Sequence, residues 1–171
     1  MLINEILNVE PLPYRWITAT TGVFDLEGIP FGIILESYNL QLPARAVGVV
    51  NISFGVLRDT NAGVTAHNID RTLTNFGKPR TVMATVATAC IDSPTVKQHD
   101  IIIVAASDQV KQKRIGVYTL AISELASKMP EYKFSYRAHT PTGSILVVES
   151  RVELTQDEVQ FVATEVLGKD S

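Results

Sequence analysis

The side chains of this chain that can do chemistry are few and scattered. His67, His99 and His139 show no metal-ligand spacing among themselves. His67 and Asp70 alone stand close enough to share an ion, and two ligands do not complete a metal site; hydrogen-bonded loop residues are the plainer reading. Tyr118 carries a phenol of reference pKa about 10 that can donate a proton. It is also one ring on the apolar stripe Ile115, Tyr118, Ile122, Leu125, where packing alone accounts for it. Lys111, Lys113 and Arg114 cluster near the start of the same helical run. Cations there oppose the helix dipole by a few tenths of a kcal/mol each, so the cluster marks an anion, an acidic partner surface or a solvated face. Cys90 lies inside the apolar run Val86 to Ile91 and reads as a small buried hydrophobe rather than a nucleophile. As the single cysteine it cannot form an internal disulfide, which fits a reducing compartment. The chain has neither a Gly-x-Ser-x-Gly elbow nor a Gly-x-x-x-x-Gly-Lys-Ser/Thr phosphate loop.

The elements that would position these groups are better marked than the groups themselves. Val82, Met83, Val86, Ala87, Cys90 and Ile91 recur at helical spacing after Pro79, which suits an early helical position because it has no N–H to leave unpaired. The apolar strand Ile101 to Ala105 follows, and Ser107-Asp108 caps a second long helix that Pro130 ends. Helix, fully apolar strand, helix buries both strand faces, and such layouts commonly hold ligands at the strand's carboxyl end.

Ahead of this unit, Met1 to Glu10 reads as an amphipathic turn or two, stopped by Pro11 and Pro13. Tyr14 to Ile17 is extended, and Val23 to Leu26 and Phe31 to Tyr38 flank a turn at Glu27-Gly28-Ile29-Pro30. Ala46 to Arg58 is a long strand whose Gly48 and Gly55 predict a bulge or a close backbone approach. Asp59 to Phe76 has little periodicity and reads as an irregular loop. Behind the unit, Tyr132 to His139 and Ser144 to Leu154 flank the turn residues Thr140-Pro141-Thr142-Gly143. In the closing helix, Thr155 and Glu158 form a capping box, Leu154 and Val159 a hydrophobic staple, and Gly168 a stop. The whole predicts one α/β (α+β) domain over residues 1–171 with a mixed, largely antiparallel sheet and three helices. Its parts are an N-terminal β-meander over 1–58 and a helix-strand-helix-hairpin-helix half over 77–168.

That order of elements resembles the GNAT-like (acyl-CoA N-acyltransferase) fold. The family's phosphate signature is Gln or Arg, two residues, Gly, one residue, then Gly or Ala. The nearest stretch here is Phe76-Gly77-Lys78-Pro79-Arg80-Thr81. Registered from Phe76, every signature position differs. Registered from Thr74, Gly77 matches, but Thr74 replaces the basic or amide residue and Pro79 replaces the last glycine, removing one N–H donor. The resemblance implies that any acetyl-CoA would be held by Gly77, Lys78 and Arg80 at the helix amino end, where free N–H groups and the dipole attract phosphate. It also implies Tyr118 as the acid that protonates the leaving thiolate, although Lys111 stands where members often carry Asn, seven residues earlier. Separately, Asn4 to Leu7, Leu12 to Trp16, Arg80 to Val86 and Arg114 to Tyr118 resemble small uncharacterised proteins of tailed bacteriophages.

Composition narrows the function classes. At 171 residues and 46% hydrophobic content the chain can bury a core. A net charge of −3 and a pI near 5.6, with 7% aromatics, give no pull toward nucleic acid or anionic membrane. No apolar run approaches the roughly 18 residues of a membrane span, and Met1 to Glu5 lacks the basic start of a secretory signal. A mean hydropathy of +0.15 leans toward a buried partner surface, from the same chain or another. The expectation is a non-catalytic phage protein, a virion component or host-directed interaction module on a degenerate GNAT-like scaffold, acting in the bacterial host cytoplasm or in the virion. On that reading it takes no cofactor or metal and engages a phage or host protein partner. The alternative is a divergent N-acyltransferase using acetyl-CoA.

Overall fold

In the computed structural model, which describes residues 9–70, 78–107, 125, 127–139 and 144–167, local turn chemistry sets the first strands. β1 (Tyr14–Trp16) pairs with β2 (Thr21–Leu26), and β2 with β3 (Ile29–Gln41), all antiparallel. Glu27 and Gly28 make the β2–β3 turn with φ of 51° and 88°, a left-handed pair that matches the twist of a two-residue hairpin. Glycine adopts it without steric cost, and the Asp25 carboxylate accepts the Gly28 N–H at 2.9 Å. The turn is thus tighter than the four residues expected, and Ile29 and Pro30 already belong to β3.

β3 and β4 (Ala46–Leu57) pair without interruption from Phe31↔Val56 to Gln41↔Ala46. The glycines of β4 therefore mark no bulge against β3. At Gly55 the close-approach alternative holds, since a Cβ there would lie 2.3 Å from the Asp70 carbonyl oxygen. That carbonyl belongs to β5 (Ile69–Asp70), a two-residue strand on the end of β4 that nothing in the sequence announced.

After β5 come α1 (Pro79–Ile91) and the single turn α2 (Pro94–Lys97). The chain then enters β6 (Ile101–Ser107), which runs parallel to β4 from Val49↔Ile101 to Ile52↔Val104. β7 (Phe134–His139) and β8 (Ser144–Ser150) complete an eight-stranded sheet of order β1-β2-β3-β4-β6-β8-β7, with β5 beside β4. Every other strand pair is antiparallel. The architecture is α+β with a mixed, largely antiparallel sheet.

Each sheet face has its own core, because side chains alternate across a strand. One face presents Phe24, Phe31, Ile33, Val50, Ile52, Ile102 and Val104 to Val82, Met83, Val86 and Cys90 of α1. The other presents Leu40, Val47, Val49, Ile101, Ile103, Leu146 and Val148 to α3 (Gln156–Leu167) through Val159, Val162, Ala163 and Val166. Each fully buried valine or isoleucine contributes about 1.5–3 kcal/mol of burial, so these stripes place the helices. α3 starts where expected. The Glu158 N–H donates to Thr155 Oγ1 at 3.2 Å, and Glu158 Oε1 accepts the Thr155 N–H at 2.9 Å. Of the expected second long helix, Leu125 and residues 127–128 are described as helical, and Leu125 and Met129 are buried in the first core. Met1 to Asn8, Gly77, the Lys111–Arg114 cluster, Tyr118, the turn at 140–143 and Gly168 lie outside the described residues.

Candidate functional site

Of the four residues assigned to cofactor chemistry, Lys78 and Arg80 can be placed. Lys78 is the N-cap of α1, its side chain making no capping bond, with Pro79 next and no acid in the first turn. Its ammonium pairs with the Glu27 carboxylate, both ends solvent-exposed, an arrangement worth about 0–1 kcal/mol. Lys78 is thereby engaged across to the β2–β3 turn, and Arg80 is also exposed. Gly77 and Tyr118 fall outside the described residues, so the proposed cradle and acid are not brought together within them.

The sheet forks beside this helix. β4 and β6 pair through Ile52 and Val104. Beyond that point β4 takes β5 at Val56 and Leu57, while Ala105 to Ser107 pair with β8. Because the end of α1 leads through α2 into the start of β6, its amino end lies toward the carboxyl side of both strands. On the opposite, α3 face of β4, Asn51 is 1% exposed, and its Oδ1 accepts no hydrogen bond among the described residues.

One carboxylate is strongly perturbed. Glu149 on β8 is 3% exposed and stands in register between Ser135 and Ile102. Burial pushes its pKa up to about 7, against the smaller opposing effects of the Ser135 hydroxyl and the Arg137 charge. Ser135 Oγ donates to Glu149 Oε1 at 2.8 Å. A carboxyl of that pKa can exchange a proton near neutrality. Cys90 behaves as the sequence implied: it is fully buried, and burial pushes its thiol up to about 12, which removes the thiolate needed for attack. His99 is structural, with Nδ1 2.7 Å from the Thr95 carbonyl and Nε2 2.9 Å from Ser37 Oγ. Among the described residues no three His, Cys, Asp or Glu side chains gather as a metal would require, and no helix is long and apolar enough to cross a membrane.

A groove of about 850 Å³ runs between the β3–β4 turn and the start of α3, lined by Gln41, Leu42, Pro43, Ala44, Thr155, Asp157, Glu158 and Phe161. Both walls are anchored. Leu42 is 1% exposed and closes its turn by reciprocal bonds with Arg45, the Leu42 N–H reaching the Arg45 carbonyl at 2.8 Å. Pro43 sits at the first corner of that turn, where its fixed φ is preset. Opposite, the capping box and the buried valines fix α3. Phe161 nonetheless leaves 41% of its surface exposed, off the stripe that seats the helix. An apolar floor between two fixed walls, with an aromatic ring left in solvent, is a surface suited to binding.

The sequence reading missed this groove. Its signals were present, in Phe161 standing out of step with Val159, Val162 and Val166 and in the apolar Leu42-Pro43-Ala44 turn. It needs, however, residues from two segments that only the fold brings together. Comparison with known protein families, curated proteins and solved structures gives no match for this chain.

Proposed function

We propose that this protein is a non-catalytic interaction module of bacteriophage origin on a degenerate GNAT-like scaffold, a virion component or host-directed binder. It acts in the bacterial cytoplasm or in the particle, and it holds a phage or host protein in the groove beside α3. The observation that carries the reading is the half-exposed Phe161 over an apolar floor whose two walls are already fixed. A preformed site loses little ordering entropy on binding, and a partly exposed aromatic in its lining is the kind of residue that dominates protein recognition. The phage origin is drawn from the sequence resemblance alone, carried by Asn4 to Leu7, Leu12 to Trp16, Arg80 to Val86 and Arg114 to Tyr118.

Photo-crosslinking tests this directly. A photoreactive residue replaces Phe161 in the chain expressed during infection, with a control replacing Ile17, which is 52% exposed at the β1–β2 turn. One dominant protein adduct from position 161, not seen from position 17, is expected. Equal or missing adducts at both positions refute the reading.

The fork between β4 and β6, with the start of α1 on its carboxyl side and no capping bond from the Lys78 side chain, favours a second reading: a divergent N-acyltransferase that takes acetyl-CoA. Acetyl-CoA at 100 times its dissociation constant would then add about 2.7 kcal/mol of stability. An unmoved melting temperature across a millimolar titration supports the non-catalytic reading. A clear rise replaces it with the second.

A further inference from the structure

We propose that the occupant of the α3 groove is a basic amphipathic segment of the partner protein, with an apolar anchor seated on Phe161 and flanking Lys or Arg side chains against Asp157 and Glu158. The inference deepens the interaction reading and rests on it. Charge complementarity sets the choice of occupant. Among the described residues the lining holds two carboxylates and no cation, and Thr155 to Leu167 contains no Lys or Arg. Arg45, which follows the lining residue Ala44 in the chain, directs Nη2 to the Glu153 carbonyl at 3.2 Å. The amino end of α3 offers only about half a positive unit from its dipole, so two carboxylates leave the rim negative. Glu158 sits in that rim as the second half of the capping box, its Oε1 accepting the Thr155 N–H at 2.9 Å. An acidic segment would meet like charge at the rim. A basic one is drawn in by it and buries its anchor against Leu42, Pro43, Ala44 and Phe161.

The shape fits a segment of chain. Helix and turn form two walls of one trough, which is how an apolar-faced peptide is commonly received. The fixed walls confine the ordering cost to the incoming segment, and such a site discriminates by charge at its rim and by apolar fit at its floor.

The test uses the full chain and two labelled synthetic peptides, one alternating Leu with Lys and the other Leu with Glu, read by fluorescence anisotropy. The Lys peptide is expected to bind and the Glu peptide not to. Phe161→Ala should weaken the Lys peptide about tenfold, the effect of losing about 1.4 kcal/mol. Asp157→Lys should weaken it by a similar factor and admit the Glu peptide. Ala44→Trp, which fills the floor from the other wall, should block the Lys peptide. All three positions line the open groove, and circular dichroism melts confirm that each variant is folded. A Lys peptide that binds all three folded variants as it binds the parent overturns the proposal, as does one that fails to bind the parent. The crosslinked partner separates this claim from the one beneath it. An adduct on an acidic or uncharged segment overturns the basic occupant and leaves the interaction reading standing, whereas a missing adduct overturns both.

Discussion

Glu149 shows how far one residue can depart from what its neighbours suggest. In sequence it ends the run Ile145 to Val148 and reads as the first polar residue after a buried strand. In the fold it faces the α1 side of the sheet beside Ile102, with Ser135 as its hydrogen-bond partner. Its pKa rises from 4.5 to about 7, so the folded state retains a proton that the unfolded chain loses in that interval. Stability from this group is full below about pH 4.5 and declines as the pH rises through 7. A displacement of that size corresponds to about 3 kcal/mol. Water reaching the carboxylate beside the exposed Ser135 screens it, which reduces the expected loss to about 1–2 kcal/mol. Glu149→Gln, which cannot ionise, should flatten the pH dependence, and urea melts at pH 5 and pH 8 check it. An unchanged slope in the variant places the titrating group elsewhere. Asn51 makes the same point in a neutral group, since strand alternation does not show that Oδ1 will be shut away from water with no donor among the described residues.

Elements whose signals are local were legible, and elements held by distant groups were not. The closing helix could be read from Thr155 and Glu158 alone, because a capping box needs only four residues. Replacing Thr155 with Ala should remove one bond of the box and cost about 1 kcal/mol, a fall of about 2–4 °C in Tm for a chain of this size. A calorimetric scan measures it, and an unaltered Tm would mean that the buried valines alone set the helix start. The strand read as Ala46 to Arg58 was likewise visible as a long run of strand-forming residues, and β4 ends one residue earlier, at Leu57. β5 was hidden because a side chain, not periodicity, organises its approach. Asn68 accepts the Asp59 N–H at 2.8 Å and donates to the carbonyls of Asp59 and Gly63, folding an irregular loop back so that Ile69 and Asp70 reach β4. The groove was hidden for a related reason, since Leu42 and Phe161 meet only after β4, β6 and β8 have been assembled between them.

At the scale of the whole molecule, the order β1-β2-β3-β4-β6-β8-β7 divides the chain into two antiparallel ribbons. Strands β1 to β4 are consecutive neighbours joined by short turns. Strands β6, β8 and β7 form the other ribbon. Among the described residues only the four-residue parallel ladder between Val49–Ile52 and Ile101–Val104 joins them within the sheet, with α1 and the first core lying across the join. Parallel ladders need long crossovers and form late relative to hairpins. A chain so arranged should tolerate a cut in its crossover far better than one in either ribbon. Two halves separated between Ala62 and Gly63, both exposed, should recombine into the native form when expressed together, because β4 offers β6 and β5 an edge that neither half can cover alone. Co-purification of the halves with native near-ultraviolet dichroism checks this; halves that stay apart would mean that an unbroken peptide is needed to bring the two edges within reach. The seam that makes the sheet mixed is thus also the line along which the protein can be taken apart and rejoined, a ready attachment point for reporters that light up only when both pieces share a cell.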